Sequence, residues 1–235
     1  MQTVTLSLFR FDSAAARLWV LGQMGAARFA LPHVPGLQFW KLCGSGTGEG
    51  FTPRPNWGTW AILGVWDSQY AAKAGLEQRP FARWHAKAVE SCTLFLEPCS
   101  ARGKWAGVRP FTPEGAPPDG PIAAMTRATI RPTHLRQFWT REPAISARVG
   151  ADPNVIFKIG IGELPFLHQV TFSIWPDAAT MDAFARRGAH QDAIRAVRRE
   201  GWFKEELYAR FRIAGSLGTW QGRDPLSTTE QQEAA

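Results

Sequence analysis

The side chains of this chain best suited to hold a redox metal are its five histidines, His33, His85, His134, His168 and His190. Zinc-protease spacing of the HExxH kind is missing, and the residues around Cys43 lack the spacing of a haem-thiolate loop. Nucleophile-elbow and kinase patterns are also missing, so hydrolysis and phosphoryl transfer find no support. His33 lies between prolines in a loop and His134 in the opening turn of a helix, and both read as solvated. His168 opens a core strand and shares a face with Val170, Phe172 and Ile174, where a hydrogen-bonded core histidine is the simpler reading. His85 follows Trp84, with Phe81 one turn earlier. His190 precedes Ile194 and Val197 at helical spacing, which points its imidazole towards the sheet and its cavity. A histidine so placed is either a metal ligand or a satisfied core residue.

Two further features bear on a ligand. The run from Gly44 to Gly50 has glycine at every second place, so it meets neither dinucleotide-binding nor P-loop spacing and reads as a hairpin or cavity-rim loop. Glu49 and Phe51 in that loop are able to face a ligand. The chain also carries 11 Trp and 15 Phe against 2 Tyr. Aromatics of this wholly apolar kind suit the lining of a cavity for a flat or greasy molecule.

The elements that must position these residues recur at an offset of roughly 110 to 117 residues, so the chain is a repeat of itself. Alternating strands open the halves at Thr3–Phe11 and Ala124–Ile130. Helices follow, one at 13–29 capped by Asp12 or Ser13, the other opened by Pro132 with Leu135, Phe138 and Trp139 on its apolar face. Each half then shows a strand ending in Gly-x-Gly and a return strand closing on Trp66 or Trp175. Second helices begin near Ser68 and Ala178, and final strands run through Leu94–Glu97 and Arg210–Ile213. Strand, helix, strand, strand, helix, strand is the ferredoxin-like order.

The predicted class is therefore α+β: a tandem duplication of a ferredoxin-like βαββαβ unit, forming a pseudo-dimeric α/β barrel with facing antiparallel sheets. Each unit alone would leave one apolar sheet face bare, and the duplication covers it. The expected boundaries are residues 1–109 for the first repeat, 110–121 for a Pro/Gly-rich linker, 122–222 for the second repeat and 223–235 for a disordered polar tail.

A net charge of +7 and a pI near 9.8 admit nucleic acid, an anionic membrane surface or an acidic protein as partner. Nucleic acid is set aside, because the arginines are dispersed and no helix-turn-helix, zinc-finger or RNA-reading pattern occurs. No apolar run reaches the length needed to span a bilayer, so any membrane contact is peripheral. The first helix, with Leu18, Trp19, Val20, Leu21, Met24 and Phe29 among Arg17 and Arg28, is the expected contact. Cys43, Cys92 and Cys99 lack CxxC spacing, and no signal peptide is read, which places the chain in a reducing, cytoplasmic setting.

The runs FWKLCGSGTGEGF at 39–51, PNVIFKIGIGE at 153–163, HQVTFSIWP at 168–176 and GWFKEELYARF at 201–211 resemble the spheroidene monooxygenase family of purple phototrophic bacteria. So do the segments at 4–11 and 127–132, and the resemblance covers nearly the whole chain. It implies a carotenoid monooxygenase that uses O2 and reduced ferredoxin to place a keto group at C-2 of spheroidene-type acyclic carotenoids. It also implies haem as cofactor and the photosynthetic inner membrane as the place of peripheral contact. By analogy with haem-binding barrels of this architecture, His190 is the expected axial metal ligand and His85 the alternative. Arg127, Arg131 and Lys158, read as projecting from sheet ends, are the expected partners of the haem propionates.

Overall fold

The alternating segments of each half form strands, as a computed structural model of the chain shows for residues 1–48, 52–140, 152–185 and 199–227. The first half comprises β1 Thr3–Arg10, α1 Ala14–Ala30, β2 Leu37–Gly46, β3 Pro55–Trp66, α2 Gln69–Leu76, α3 Arg79–Lys87 and β4 Glu90–Gly103. The second comprises β5 Ile122–Ile130, helix α4 described at 135–140, β6 Phe157–Gly162, β7 His168–Trp175, α5 Ala178–Ala185 and β8 Phe203–Gly218.

Local chemistry sets the helix starts. Ser13 Oγ accepts the Ala16 amide at 3.1 Å, and Ser68 Oγ accepts the Ala71 amide at 3.1 Å. Each cap satisfies one amide that the first helical turn leaves without a partner. The single second helix read for the first half is two helices. Pro80 lies in the first turn of α3, where its fixed φ favours a new start and its missing N–H costs nothing.

All strand neighbours are antiparallel, and the order β1-β3-β2-β6-β7-β5-β8-β4 closes into a barrel. Within it each half keeps the ferredoxin-like order, β4-β1-β3-β2 and β8-β5-β7-β6. The two sheets therefore face one another as expected, and they are also joined at both edges. The seams are unequal. Strands β4 and β8 pair continuously from Cys92↔Gly218 to Gly103↔Leu207, apart from two bulges. Strands β2 and β6 pair only through Gly44↔Gly162 and Ser45↔Ile161.

Period-two patterning sends Val4, Leu6, Leu8, Leu63, Leu94, Met125, Phe172 and Phe211 into one interior core. Each such side chain contributes about 1.5–3 kcal/mol through burial. On the outer face of the first sheet Phe9, Phe11, Ile62 and Trp66 pack beneath Val20, Phe81 and Trp84 of the helices. Equivalent glycines mark the two long strands. Gly103 has φ +100° and a Cβ there would lie 2.1 Å from the Glu206 carbonyl oxygen, while Gly218 has φ +85° and would meet the Ser91 carbonyl at 2.2 Å. Each glycine lets the chain fold back, so that Trp105 bridges Val108 and Trp220 bridges Arg223.

Candidate active site

The inward alternation Ala123, Met125, Arg127 on β5 carries a cation into the barrel wall, where Arg127 is only 2% exposed. A buried guanidinium requires partners. Its NH1 bonds Glu205 Oε1 at the start of β8, its NH2 lies 3.3 Å from Glu163 Oε2 in the turn after β6, and its plane lies over the Trp105 ring at 5.7 Å. Lys41 of β2 reaches Glu163 Oε1 at 3.3 Å, and His168 Nδ1, at the start of β7, lies 3.4 Å from Glu163 Oε2. Glu205 in turn accepts the Ala106 and Gly107 amides at 2.9 and 2.7 Å.

Two cations and two carboxylates thus balance inside the wall. Burial alone would raise the Glu163 carboxyl. The His168 and Trp105 side chains, with the charges of Arg127 and Lys41, outweigh it and hold the group down to about 2. Glu205 is likewise lowered, because the amides of Gly107 and Ala106 and the Arg127 charge outweigh its burial.

Only part of the cluster has a counterpart in the first repeat: Glu90, at the start of β4, accepts the Gly222 amide at 2.7 Å and pairs with Arg10 at 3.0 Å. Trp66 faces Thr3 across β1 and β3, and Trp175 faces Ile122 across β5 and β7. In the same registers Leu8 faces Ala61, Arg127 faces Val170, and Thr59 stands where the second repeat has His168. Leu8 is a fully buried core residue. The first repeat thus keeps an ion pair whose arginine is exposed, where the second repeat buries its guanidinium.

Where β2 and β6 part, a cleft of about 310 Å³ opens, with Trp57, Trp60, Trp139 and Phe166 on its walls and Glu163 and His168 at its base. The indole N–H of Trp60 donates to the Trp57 carbonyl at 2.9 Å, and that of Trp139 to the Phe166 carbonyl at 3.1 Å. With those donors satisfied by backbone, the walls present ring carbon to a ligand. Ser45 and Asn56 also border a second cavity of about 670 Å³, lined by Phe157, Ile159 and Trp220 with Arg10 and Lys158 at its edge. The two cavities share Ser45 and Asn56 as wall residues beside the thin seam.

The residues expected from sequence are distributed unevenly. His190 lies outside the described residues, as do Glu49 and Phe51. His85 sits on the outer side of the first sheet, its Nδ1 3.0 Å from Ser91 Oγ and its ring against Phe9 at 4.9 Å. Arg127 does not project from a sheet end but is buried between carboxylates. Arg131 is exposed and donates to the Gly201 carbonyl at 3.0 Å. Lys158 edges the second cavity. His33 and His134 are bound locally, to the Phe29 carbonyl and to Thr133.

All three thiols are buried, and burial raises each, Cys92 to about 12, so they stay protonated at neutral pH. No group of three metal-ligating side chains occurs among the described residues. Lys41, Glu163 and Glu205 escaped the reading of the sequence, although a charge at an inward position of β5 signals that partners must exist.

An iron porphyrin needs an apolar slot and an imidazole on its wall. The cleft supplies both: aromatic faces, and His168, whose Nδ1 lies 3.4 Å from a Glu163 carboxylate oxygen. The described residues fit the group there. They do not fit it at His85, which borders neither cavity.

A closed eight-stranded barrel of two ferredoxin-like repeats, with an aromatic cleft that also reaches a carboxylate and an imidazole, defines a pseudo-dimeric α/β-barrel protein. The same fold occurs in an aldoxime dehydratase, at 12% identity and a TM-score of 0.60, over 90% of this chain and 81% of that one. A second aldoxime dehydratase structure, with butyraldoxime, gives 11% identity and a TM-score of 0.60, over 90% and 79%. No protein-family model matches. The chain is 54% identical to the spheroidene monooxygenase of Rhodobacter capsulatus over 233 residues, 97% of each protein. It is 54% identical to that of Cereibacter sphaeroides over 96% of this chain and 71% of the relative, and 37% identical to that of Rubrivivax gelatinosus over 93% and 85%. The chain belongs to the spheroidene monooxygenase family.

Proposed function

We propose that the protein is a carotenoid monooxygenase that converts the C-2 methylene of a spheroidene-type acyclic carotenoid to a ketone, with O2 as oxidant and reduced ferredoxin as electron donor. The observation that carries this reading is the aromatic cleft closing on His168 and Glu163, taken with relatives named for spheroidene oxidation. A methylene reaches the ketone level through two hydroxylations. Each consumes one O2, two electrons and two protons and releases one water, and the geminal diol so formed loses a further water.

The O2 activation that no side chain can supply comes from haem when bound. The aromatic walls would hold it, with His168 as the described imidazole donor and His190 the alternative beyond the described residues. Arg127 serves the site by holding Glu163 ionised, and Lys158 is the cation we assign to a propionate. Trp57, Trp60, Trp139 and Phe166 orient the end of the polyene and exclude water. The second cavity, which shares Ser45 and Asn56 with the cleft, adds space beside the same seam.

The test combines a spectrum with product analysis. The purified protein should show a Soret band that shifts with dithionite and CO, and with reduced ferredoxin and isotopically labelled O2 it should yield a labelled ketone. A colourless protein that still makes ketone would remove haem from the proposal. One that binds carotenoid without turnover would remove catalysis.

A further inference from the structure

We infer that the mouth of the aromatic cleft is a membrane-docking surface, and that its occupant is the face of an anionic lipid bilayer. The inference rests on the proposed function for the nature of the substrate, and on the surface around the cleft for the rest. Large apolar side chains of three separate elements surround the opening: Leu21 of α1, Trp57 near the start of β3, and Leu164 and Phe166 of the β6–β7 turn, all between 45% and 53% exposed. Leu18 and Phe29 of α1, more exposed still at 73% and 81%, extend the patch along the helix at turn spacing on either side of Leu21. Single exposed apolar residues are ordinary, but a ring of them around a cavity mouth marks a surface that meets something apolar.

The helix supports this in its small residues. A Cβ at Gly22 or Gly25 would meet nothing within 4 Å. Each of these glycines weakens α1 with no close approach inside the protein to offset the loss. They keep the middle of the outward face flat between Leu18 and Phe29.

Charge selects the lipid. The exposed ionic residues at the lips are Arg28, which lines the cleft, and Arg54, between Pro53 and Pro55 of the opposite wall. The one carboxylate among the described residues lining the cleft is Glu163, paired with Lys41 and Arg127. Among the described residues, an apolar ring flanked by arginine, with its one carboxylate at the base of the cleft, complements a bilayer with anionic headgroups, into which the rings sink while the guanidinium groups stay at the phosphates. No described helix is long and apolar enough to cross a membrane, so the contact is with one leaflet. Docked in this way, the cleft opens into the hydrocarbon phase, and a polyene slides in without crossing water.

Flotation of the full chain with carotenoid-free vesicles tests the inference, using phosphatidylcholine with and without phosphatidylglycerol. The protein should float with both, more with the anionic vesicles, and added salt should remove only the anionic increment. Leu18→Glu with Phe29→Glu should lower partitioning at least about tenfold, since two buried apolar groups are lost. Trp57→Ser should weaken it from the opposite lip. Arg28→Glu with Arg54→Glu should abolish the anionic increment alone. Circular dichroism melts check that each variant folds.

The inference is overturned if the wild type does not float, or if the double glutamate variant floats as well as wild type. It is also overturned if the wild type is a dimer that this variant makes monomeric, which would assign the patch to a second copy of the chain. Turnover of detergent-dispersed carotenoid is measured separately. Retained turnover without flotation sinks the membrane inference alone, whereas flotation without turnover leaves it standing and sinks the functional reading.

Discussion

Leu8 and Arg127 occupy equivalent places in the two repeats, yet one is a core leucine and the other a guanidinium held between two carboxylates. Replacing Arg127 by Met should therefore not simply restore the first repeat's solution. It leaves Glu163 and Glu205 without their shared cation, and losing one partner of a buried ionic group costs about 3–5 kcal/mol. Urea unfolding at neutral pH should show that loss. The triple change Arg127→Met, Glu163→Gln, Glu205→Gln should recover much of it, because no uncompensated carboxylate remains.

Acid should weaken the fold in two stages. Burial lowers the His85 imidazole, so the native state resists its protonation, and stability starts to fall as the pH drops below 6.5. Glu163 is held near 2 against an ordinary 4.5, so the native state again binds fewer protons than the unfolded one. Its contribution, about 3 kcal/mol at 1.36 kcal/mol per unit, is complete above pH 4.5 and disappears towards pH 2. Glu163→Gln should be less stable at neutral pH and show a flatter dependence between those limits in urea titrations at stepped pH.

Histidine variants separate the places proposed for iron. His85→Ala should keep the full haem content of the wild type, because that ring lies outside the barrel against Phe9. His168→Ala should lose haem or shift its Soret band. Pyridine haemochrome assay reads the content directly. Loss in His190→Ala with retention in His168→Ala would place the proximal ligand in the segment beyond the described residues.

Gly103→Ala should be among the most damaging conservative changes in the chain. The added Cβ meets a carbonyl oxygen at 2.1 Å, and φ of +100° is a backbone state that alanine resists. Gly25→Ala should act oppositely and stabilise α1 by about 1 kcal/mol, since it meets nothing. Thermal melts of the two variants should move in opposite directions.

Much of the fold was legible because it is written in local patterns that occur twice. Alternation gave the strands, Ser13 and Ser68 gave helix starts, and Trp66 and Trp175 aligned the repeats. The break at Pro80 was legible in principle, as proline in a first turn marks a new helix. The candidate site was less legible for a physical reason. Lys41, Arg127, Glu163 and Glu205 come from four strands or their ends: sheet pairing within the second repeat brings the last three together, and barrel closure adds Lys41. No spacing rule connects residues 41 and 163. The only local trace was a charge on the inward face of β5, and His168, read as a core histidine, turned out to stand next to its missing carboxylate.

The two seams differ in what thermal motion can do to them. Parting β4 from β8 means unzipping a ladder from Cys92 to Gly103, whereas parting β2 from β6 breaks the few hydrogen bonds around Gly44 and Ser45, each a net stabilisation of about 1 kcal/mol, and the Lys41–Glu163 ion pair. Breathing is therefore directional: the barrel behaves as a clasp, hinged along one side and lightly fastened along the other. The amides of the fastening are therefore the place where solvent hydrogen should enter first.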